Sequence, residues 1–138
     1  MKVVDIKAKL PDTDKVTVNM GLVDLGQMDL LVAQGFYTNR TDLVRTAVRN
    51  LLRQHAADIH QTASRERLST GLQRFSRRDL EQAAASGQPL EINVLGLATL
   101  DDDITPELAR AAIASIHVLG AFVASPAVKR ALADRIRT

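Results

Sequence analysis

The sequence contains no cysteine and no tryptophan, and aromatic residues make up only 3% of its 138 positions. Without cysteine the chain has no disulfide framework, no thiolate zinc site and no cysteine nucleophile. This composition fits a reducing cytoplasm, which is the expected location. Because no apolar run approaches the ~18 residues that a membrane-spanning helix needs, no membrane partner is expected.

What is present is an aliphatic chain of low net charge. Hydrophobic residues make up 46% of it, which is enough for a packed core, and the formal net charge is only +2. Nucleic-acid binding must therefore be argued from where the charges lie. The chain has no nucleophile–base pairing or phosphate-binding glycine loop, so neither an enzyme nor a cofactor is expected. His55 and His60 are five residues apart, which points them in different directions on a helix, and no metal site is expected.

Residues 15–20 alternate strictly between polar and apolar side chains, which is the pattern of a half-buried β-strand. One face carries Lys15, Thr17 and Asn19, and the other carries Val16, Val18 and Met20. The preceding residues 1–14 are mixed and polar, and we interpret them as a flexible arm that ends in a turn.

Two helices are predicted after this strand. Apolar residues recur at helical spacing over residues 23–34, and Gly35 provides a stop. Thr38 or Asn39 can cap the second helix, with Asp42 in its first turn, where the helix dipole favours a negative charge. The apolar stripe of this helix consists of Leu43, Val44, Ala47, Val48, Leu51 and Leu52. Residues 57–70 are polar and are interpreted as a helix tail or linker.

One strand and two helices do not close a core by themselves, because an isolated strand with one apolar face is not stable. The simplest solution is an obligate homodimer in which two strands pair antiparallel and four helices cover them. We therefore predict an α+β fold whose amino-terminal domain, residues 15–56, forms only as a dimer. Its predicted core consists of Val16, Val18, Met20, Leu43, Val44, Ala47, Val48 and Leu51.

The outer side of such a ribbon suits double-stranded DNA. A two-stranded ribbon fits the major groove, where lysine donates to guanine, asparagine pairs with adenine, and threonine contacts either a polar base edge or a thymine methyl group. Lys15, Thr17 and Asn19 are therefore the predicted base-reading residues. The start of the second helix offers free backbone N–H groups at the positive end of its dipole, which suits a phosphate. The predicted phosphate-binding residues are Thr38, Asn39, Arg40 and Thr41.

The carboxyl-terminal half contains a repeat. The pattern I-x-V-L-G occurs at residues 92–96 and 116–120, and Pro106 and Pro126 follow at positions that suit the start of a helix. A weaker third copy begins at Gly71. The repeats predict strand–turn–helix units that stack into a solenoid-like α/β domain, residues 71–138. The alternative is an ordinary α/β domain with coincidental similarity between its strands. The glycines Gly96 and Gly120 are expected to permit close packing of strands.

Residues 15–55 resemble the ribbon-helix-helix (CopG/Arc/MetJ-type) family of bacterial and archaeal regulators. The resemblance rests on the alternating strand K-V-T-V-N-M, on the junction G-F-Y-T-N-R-T-D at residues 35–42 and on the helix L-V-R-T-A-V-R that follows it. It implies a dimer that reads operator DNA through the strand and contacts phosphate at Asn39 and Arg40. Gly26, inside the first helix, is a departure that costs roughly 1 kcal/mol of helix propensity.

The sequence thus predicts a cytoplasmic, nucleoid-associated bacterial regulator, most simply a repressor, that binds an inverted-repeat operator as a homodimer. Its carboxyl-terminal domain is expected to join dimers into tetramers or larger assemblies, because stacked repeats leave free edges. One alternative is an antitoxin with the same DNA-binding head, although antitoxin tails are usually disordered until bound. The other is a scaffold that polymerises through its repeats while the head serves only to dimerise.

Overall fold

The computed structural model describes residues 13–137, which divide into two compact units at residue 61. Most of the predicted flexible arm, together with Thr138, lies outside the described residues. The first unit contains α1 (Leu22–Ala33) and α2 (Arg40–Gln54), and α3 (Ala56–Arg65) runs across the boundary. Over residues 13–137, no helix is long and apolar enough to cross a membrane.

The two predicted helices of the first unit are present. Helices α1 and α2 contact each other, and Gly35 follows α1 one residue after its C-cap, Gln34. Most of α3 falls in the stretch predicted as a helix tail or linker, residues 57–70, and the helix begins at Ala56 after an interruption at His55. At Gly26, a Cβ would meet no atom of the described residues within 4 Å. Close packing against that part of the chain therefore does not explain why a glycine stands inside α1.

Among residues 13–137, the predicted strand at residues 15–20 has neither strand nor helix hydrogen bonding. A β-strand is defined by the ladder of hydrogen bonds to a neighbour, and the predicted neighbour of this segment is the same segment of another chain. The strand therefore stays a prediction.

The second unit alternates strands and helices. Its elements are β1 (Ser69–Phe75), α4 (Arg77–Ser86), β2 (Leu90–Leu100), α5 (Pro106–Ala112), β3 (Ile113–Val123), α6 (Pro126–Ala131), a 3-10 turn (Ala133–Arg135) and β4 (Ile136–Arg137). The strands form one parallel sheet in the order β1-β2-β3-β4. The α+β fold class is thereby confirmed, and β1, which begins two residues before the predicted domain boundary, carries the weak third copy of the repeat.

Helices α4, α5 and α6 each begin directly after a residue whose side chain caps the helix. Ser76, Thr105 and Ser125 accept hydrogen bonds from the backbone N–H groups three residues further on. These caps satisfy an amide that has no partner inside the helix, and the prolines at the first positions of α5 and α6 have no N–H to satisfy. The short helices of the repeat thus start where the sequence predicts.

The core lies between the sheet and a row of helices. Connections between neighbouring parallel strands are almost always right-handed, so successive helices fall on the same face, and α4 contacts α5 while α5 contacts α6. Leu80, Ala109 and Val128 from the three helices are buried in one cluster with Ile92 and Ile116 from the strands. Alternate side chains of the strands point to the opposite face, where Leu72 and Leu119 remain exposed.

One glycine at the same position in each of the three repeated strands has a steric role. Gly71, Gly96 and Gly120 are aligned across β1, β2 and β3, and their φ angles are 119°, 139° and 121°. A Cβ on Gly96 would lie 2.3 Å from the carbonyl oxygen of Gly71, and one on Gly120 would lie 2.0 Å from that of Gly96. Both the left-handed backbone and the close approach therefore require glycine, in agreement with the predicted close packing.

Candidate functional site

The start of α2 is fixed by a reciprocal cap. The Asn39 side-chain oxygen accepts from the backbone N–H of Asp42 at 2.8 Å, while the backbone N–H of Thr38 donates to the Asp42 carboxylate at 3.0 Å. Of the two caps that the sequence allows, the structure uses Asn39. The backbone N–H groups of Arg40 and Thr41 have no acceptor within residues 13–137, so the first turn of α2 keeps two free donors.

Arg40 forms a bidentate ion pair with Asp29 of α1. Its Nε lies 2.7 Å from one carboxylate oxygen and its Nη2 lies 2.8 Å from the other. The hydrogen bond from Arg40 holds the pKa of Asp29 below its usual value. The pair joins α1 to the amino end of α2, but both side chains are more than half exposed, so solvent screens it. Among the described residues, Nη1 of Arg40 has no partner and remains available to a ligand.

The four predicted phosphate-binding residues are consecutive, exposed and grouped around the amino end of a fifteen-residue helix. This surface, residues 38–41, is hereafter the α2 amino-terminal surface. It combines a hydroxyl group, a guanidinium and free backbone N–H groups with the positive end of the helix dipole. Such a set of donors suits an anionic oxygen.

The predicted base-reading residues lie in the segment that precedes α1. Lys15, Thr17 and Asn19 are all exposed, and the backbone N–H of Lys15 donates to the carboxylate of Asp14 at 2.8 Å. Among residues 13–137, no strand brings these three side chains onto a common face. Their predicted arrangement depends on the second chain.

Residues 13–61 do not form a closed core. None of them is fully buried, and Val16 and Val18 are 85% and 65% exposed. Of the residues predicted for the dimer core, Leu43 is half-buried, whereas Met20, Val44, Ala47, Val48 and Leu51 are exposed. Such a concentration of exposed apolar side chains on a small unit is typical of a surface that contacts another molecule.

Other charged residues of the described chain pair with neighbouring side chains. Arg53, which belongs to the polar side of α2, donates to the side chain of Asn50 at 3.2 Å. The carboxylate of Asp101 accepts two hydrogen bonds from Arg74 at 2.8 and 2.9 Å, so it serves as an ion-pair partner. Over residues 13–137, no group of three or more histidine or acidic side chains is arranged to hold a metal ion.

One pair at the site has no signal in the sequence pattern. Asp29 and Arg40 are eleven positions apart and lie on different helices. Periodicity and capping rules describe neighbours within three or four positions, so they identify Arg40 at a helix start and are silent about Asp29. Only the packing of α1 against α2 brings the two together.

Comparison with known proteins supports the sequence-based expectation. Residues 11–129 match the model of the Ribbon-Helix-Helix transcriptional regulator family, so the match extends through both units and covers most of the chain. No curated protein and no solved structure matches the chain.

Proposed function

The chain belongs to the Ribbon-Helix-Helix transcriptional regulator family, and on that basis we propose that it represses transcription by binding an inverted-repeat operator as a homodimer. The observation that carries the proposal is the exposed apolar surface of residues 13–61 beside the donor-rich α2 amino-terminal surface. The proposed setting is the bacterial cytoplasm, where the operator DNA is found.

The proposed dimer accounts for the missing core. Two copies of residues 15–20 pair antiparallel, and the apolar side of this ribbon, with Val16 and Val18 at its centre, rests on the apolar stripe of both α2 helices. Each Å² of apolar surface that the dimer removes from water contributes roughly 25 cal/mol to its stability. The fold of this unit is then inseparable from dimerisation.

The proposed DNA contacts divide into two kinds. Lys15, Thr17 and Asn19 from each chain project from the outer side of the ribbon and read base edges in the major groove. The two α2 amino-terminal surfaces flank the ribbon and hold phosphates, so they position the protein without reading sequence. A twofold dimer places these contacts symmetrically, which is why an inverted repeat is the proposed operator.

The first test separates the two kinds of contact. Asn19→Ala is expected to lower affinity for the operator by about 1–3 kcal/mol and to relax the preference at one base position, because a bidentate contact to adenine is lost. Arg40→Ala is expected to weaken binding to all sequences and to flatten the salt dependence by about one unit of slope, because one phosphate contact is lost. Fluorescence anisotropy with DNA from upstream of the protein's own gene, in a salt titration, measures both effects.

The matched control for Arg40→Ala is Arg53→Ala. It removes the same charge from the same helix but near its far end, where the guanidinium donates to Asn50. Operator affinity should change little in this variant. If neither Asn19→Ala nor Arg40→Ala alters DNA affinity or its salt dependence, the assignment of the site is wrong.

A second prediction concerns the partner of Arg40. Asp29→Asn is expected to strengthen binding to all DNA sequences and to steepen the salt dependence, because the carboxylate that neutralises Arg40 and repels phosphate is removed. The same salt titration measures it. The double variant Asp29→Asn/Arg40→Ala should bind more tightly than Arg40→Ala, because the repulsion between the Asp29 carboxylate and phosphate is removed, but less tightly than Asp29→Asn, because Arg40 is absent. Weaker binding by Asp29→Asn would instead mean that the carboxylate is needed to hold the guanidinium in its binding position.

For the second unit we propose self-association, with its strand–helix repeats stacked as a short solenoid that joins dimers into tetramers or larger assemblies. Its ordered parallel sheet and buried core favour this role over that of an antitoxin tail, which would be disordered before it meets a toxin.

A further inference from the structure

The parallel sheet of the second unit has two incomplete edges. Within residues 13–137, the outer side of β1 has no strand partner. At the other edge, β4 pairs only with Ile116 and His117 of β3, which leaves residues 118–123 without one. Unpaired backbone N–H and C=O groups along a strand are a template for pairing with another strand.

Neither edge carries a proline or a charged side chain that lacks a partner. Strand β1 has one charged residue, Arg74, which is paired with the carboxylate of Asp101, and its central Leu72 is 61% exposed. The free part of β3 has no charged residue, and Leu119 within it is 42% exposed. Proteins commonly protect edge strands with charges, prolines or bulges, so these two edges are suited to contact rather than to isolation.

The aligned glycines give the two edges complementary shapes. The Cβ position of Gly96 faces the carbonyl oxygen of Gly71, and that of Gly120 faces the carbonyl oxygen of Gly96. Each glycine thus faces the strand before it. Gly71 has the same left-handed backbone, yet among the described residues nothing lies within 4 Å of its Cβ position. The carbonyl oxygens of Gly71 and Gly96 each face the following strand. Continued by one strand, this pattern points the carbonyl oxygen of Gly120 away from β2, toward the position of a further strand beside β3.

A groove lies at the β1 end of the helix row as well. It has a volume of about 500 Å³, and its lining is apolar at Phe75, Ala83 and Leu90, charged at Arg74 and Asp79, and otherwise polar. Elsewhere in the row the helices contact their neighbours, α4 with α5 and α5 with α6. The groove therefore flanks α4 at the end of the row, where a further helix would continue the packing.

From these features we propose that β1 of one copy of the chain pairs with the free part of β3 of a second copy, parallel and in the register that the repeats already use. That register places Gly71 beside Gly120, and Leu72 beside Ala121 of the second copy. The groove beside α4 receives α6 of that copy. The occupant is a second copy because both surfaces belong to this chain and continue one pattern of strands, glycines and helices.

This contact names the surfaces of the self-association proposed above and does not depend on DNA binding. It joins two different surfaces, so each copy keeps one free edge after the contact forms. The assembly is therefore head-to-tail and open-ended, and its size depends on protein concentration.

The test uses two full-length variants that each block one edge. Leu72→Lys places a charge in the β1 edge, and Leu119→Lys places one in the β3 edge; both positions are exposed, so the fold tolerates them. Light scattering after size exclusion should show species larger than a dimer in the unaltered protein, and loss of those species in each variant. Mixing the two variants should restore association, because one supplies an intact β3 edge and the other an intact β1 edge.

Controls separate this result from misfolding. Ala111→Lys adds the same charge on the exposed surface of the central helix α5 and should assemble like the unaltered protein. Circular dichroism checks each fold, and Thr70→Lys, also exposed, is a second variant for the β1 edge. If the dimer proposed for residues 13–61 does not form, each single variant should have the mass of a monomer, and the mixture should contain one copy of each variant in a pair. The dimer proposal can therefore fail while the proposal for the sheet edges holds.

Several outcomes would overturn the proposal. One is an unaltered protein that stays at the mass of a dimer or a monomer at all concentrations. Another is a Leu119→Lys variant that still assembles, which would indicate pairing of β1 with β1. A third is a mixture that fails to associate. If the full chain stays unassembled while a chain without residues 1–12 assembles, the amino-terminal segment covers the edge instead.

Discussion

Replacing Gly120 with alanine is expected to destabilise the second unit by more than about 4 kcal/mol, a loss large enough to leave it unfolded. The new Cβ would lie 2.0 Å from the carbonyl oxygen of Gly96. Both groups belong to backbone inside a parallel sheet, so relief of the overlap requires separating β2 from β3. The positive φ of 121° adds a conformational cost of about 1–3 kcal/mol for any residue with a side chain.

Gly71→Ala is the matched control for this prediction. Gly71 has nearly the same φ, 119°, but no atom of the described residues lies within 4 Å of its Cβ position. Only the conformational cost, about 1–3 kcal/mol, is expected there. Urea unfolding of dilute, unassembled protein measures both variants. Equal losses of stability would mean that the backbone conformation alone, and not the contact between strands, requires the glycine.

The repeats could be predicted because their signals are local. The alternation in I-x-V-L-G predicts a strand, a serine or threonine before proline predicts a helix start, and the structure has β2, β3 and the capped helices α5 and α6 at those places. The weaker third copy lacks the full I-x-V-L-G pattern and has no proline after Ser76, so only Gly71 and the serine itself mark it as part of the repeat. A spacing that repeats also constrains register, which is why the glycines of the three strands align.

The ion pairs could not be predicted, since they join distant parts of the chain. Arg40 meets Asp29 across two helices, and Arg74 meets Asp101 twenty-seven positions away. No periodicity relates residues so far apart, and from the sequence alone each charged residue could equally be exposed to solvent without an ion-pair partner. The strand at residues 15–20 differs again: its pattern is clear, but it forms no ladder with any other segment of residues 13–137.

Val18→Lys is expected to abolish the proposed dimer and to unfold residues 13–61. In the single chain Val18 is 65% exposed, so a lysine there would be harmless if the chain acted alone. In the proposed dimer this side chain lies between the ribbon and the helices, and twofold symmetry buries two charges close together in an apolar core. Unpaired buried charge is among the few causes of losses above about 4 kcal/mol. Light scattering and DNA anisotropy should both show complete loss.

Thr17→Lys provides the decisive comparison, because it adds the same charge one position earlier on the same predicted strand. Adjacent side chains of a strand point to opposite faces, so this lysine should project from the outer face of the ribbon. The dimer should persist, and affinity for non-specific DNA should rise because one more cation faces the phosphates. If both variants remain folded dimers, or both lose the dimer, then the alternation of residues 15–20 does not separate a core face from a DNA face.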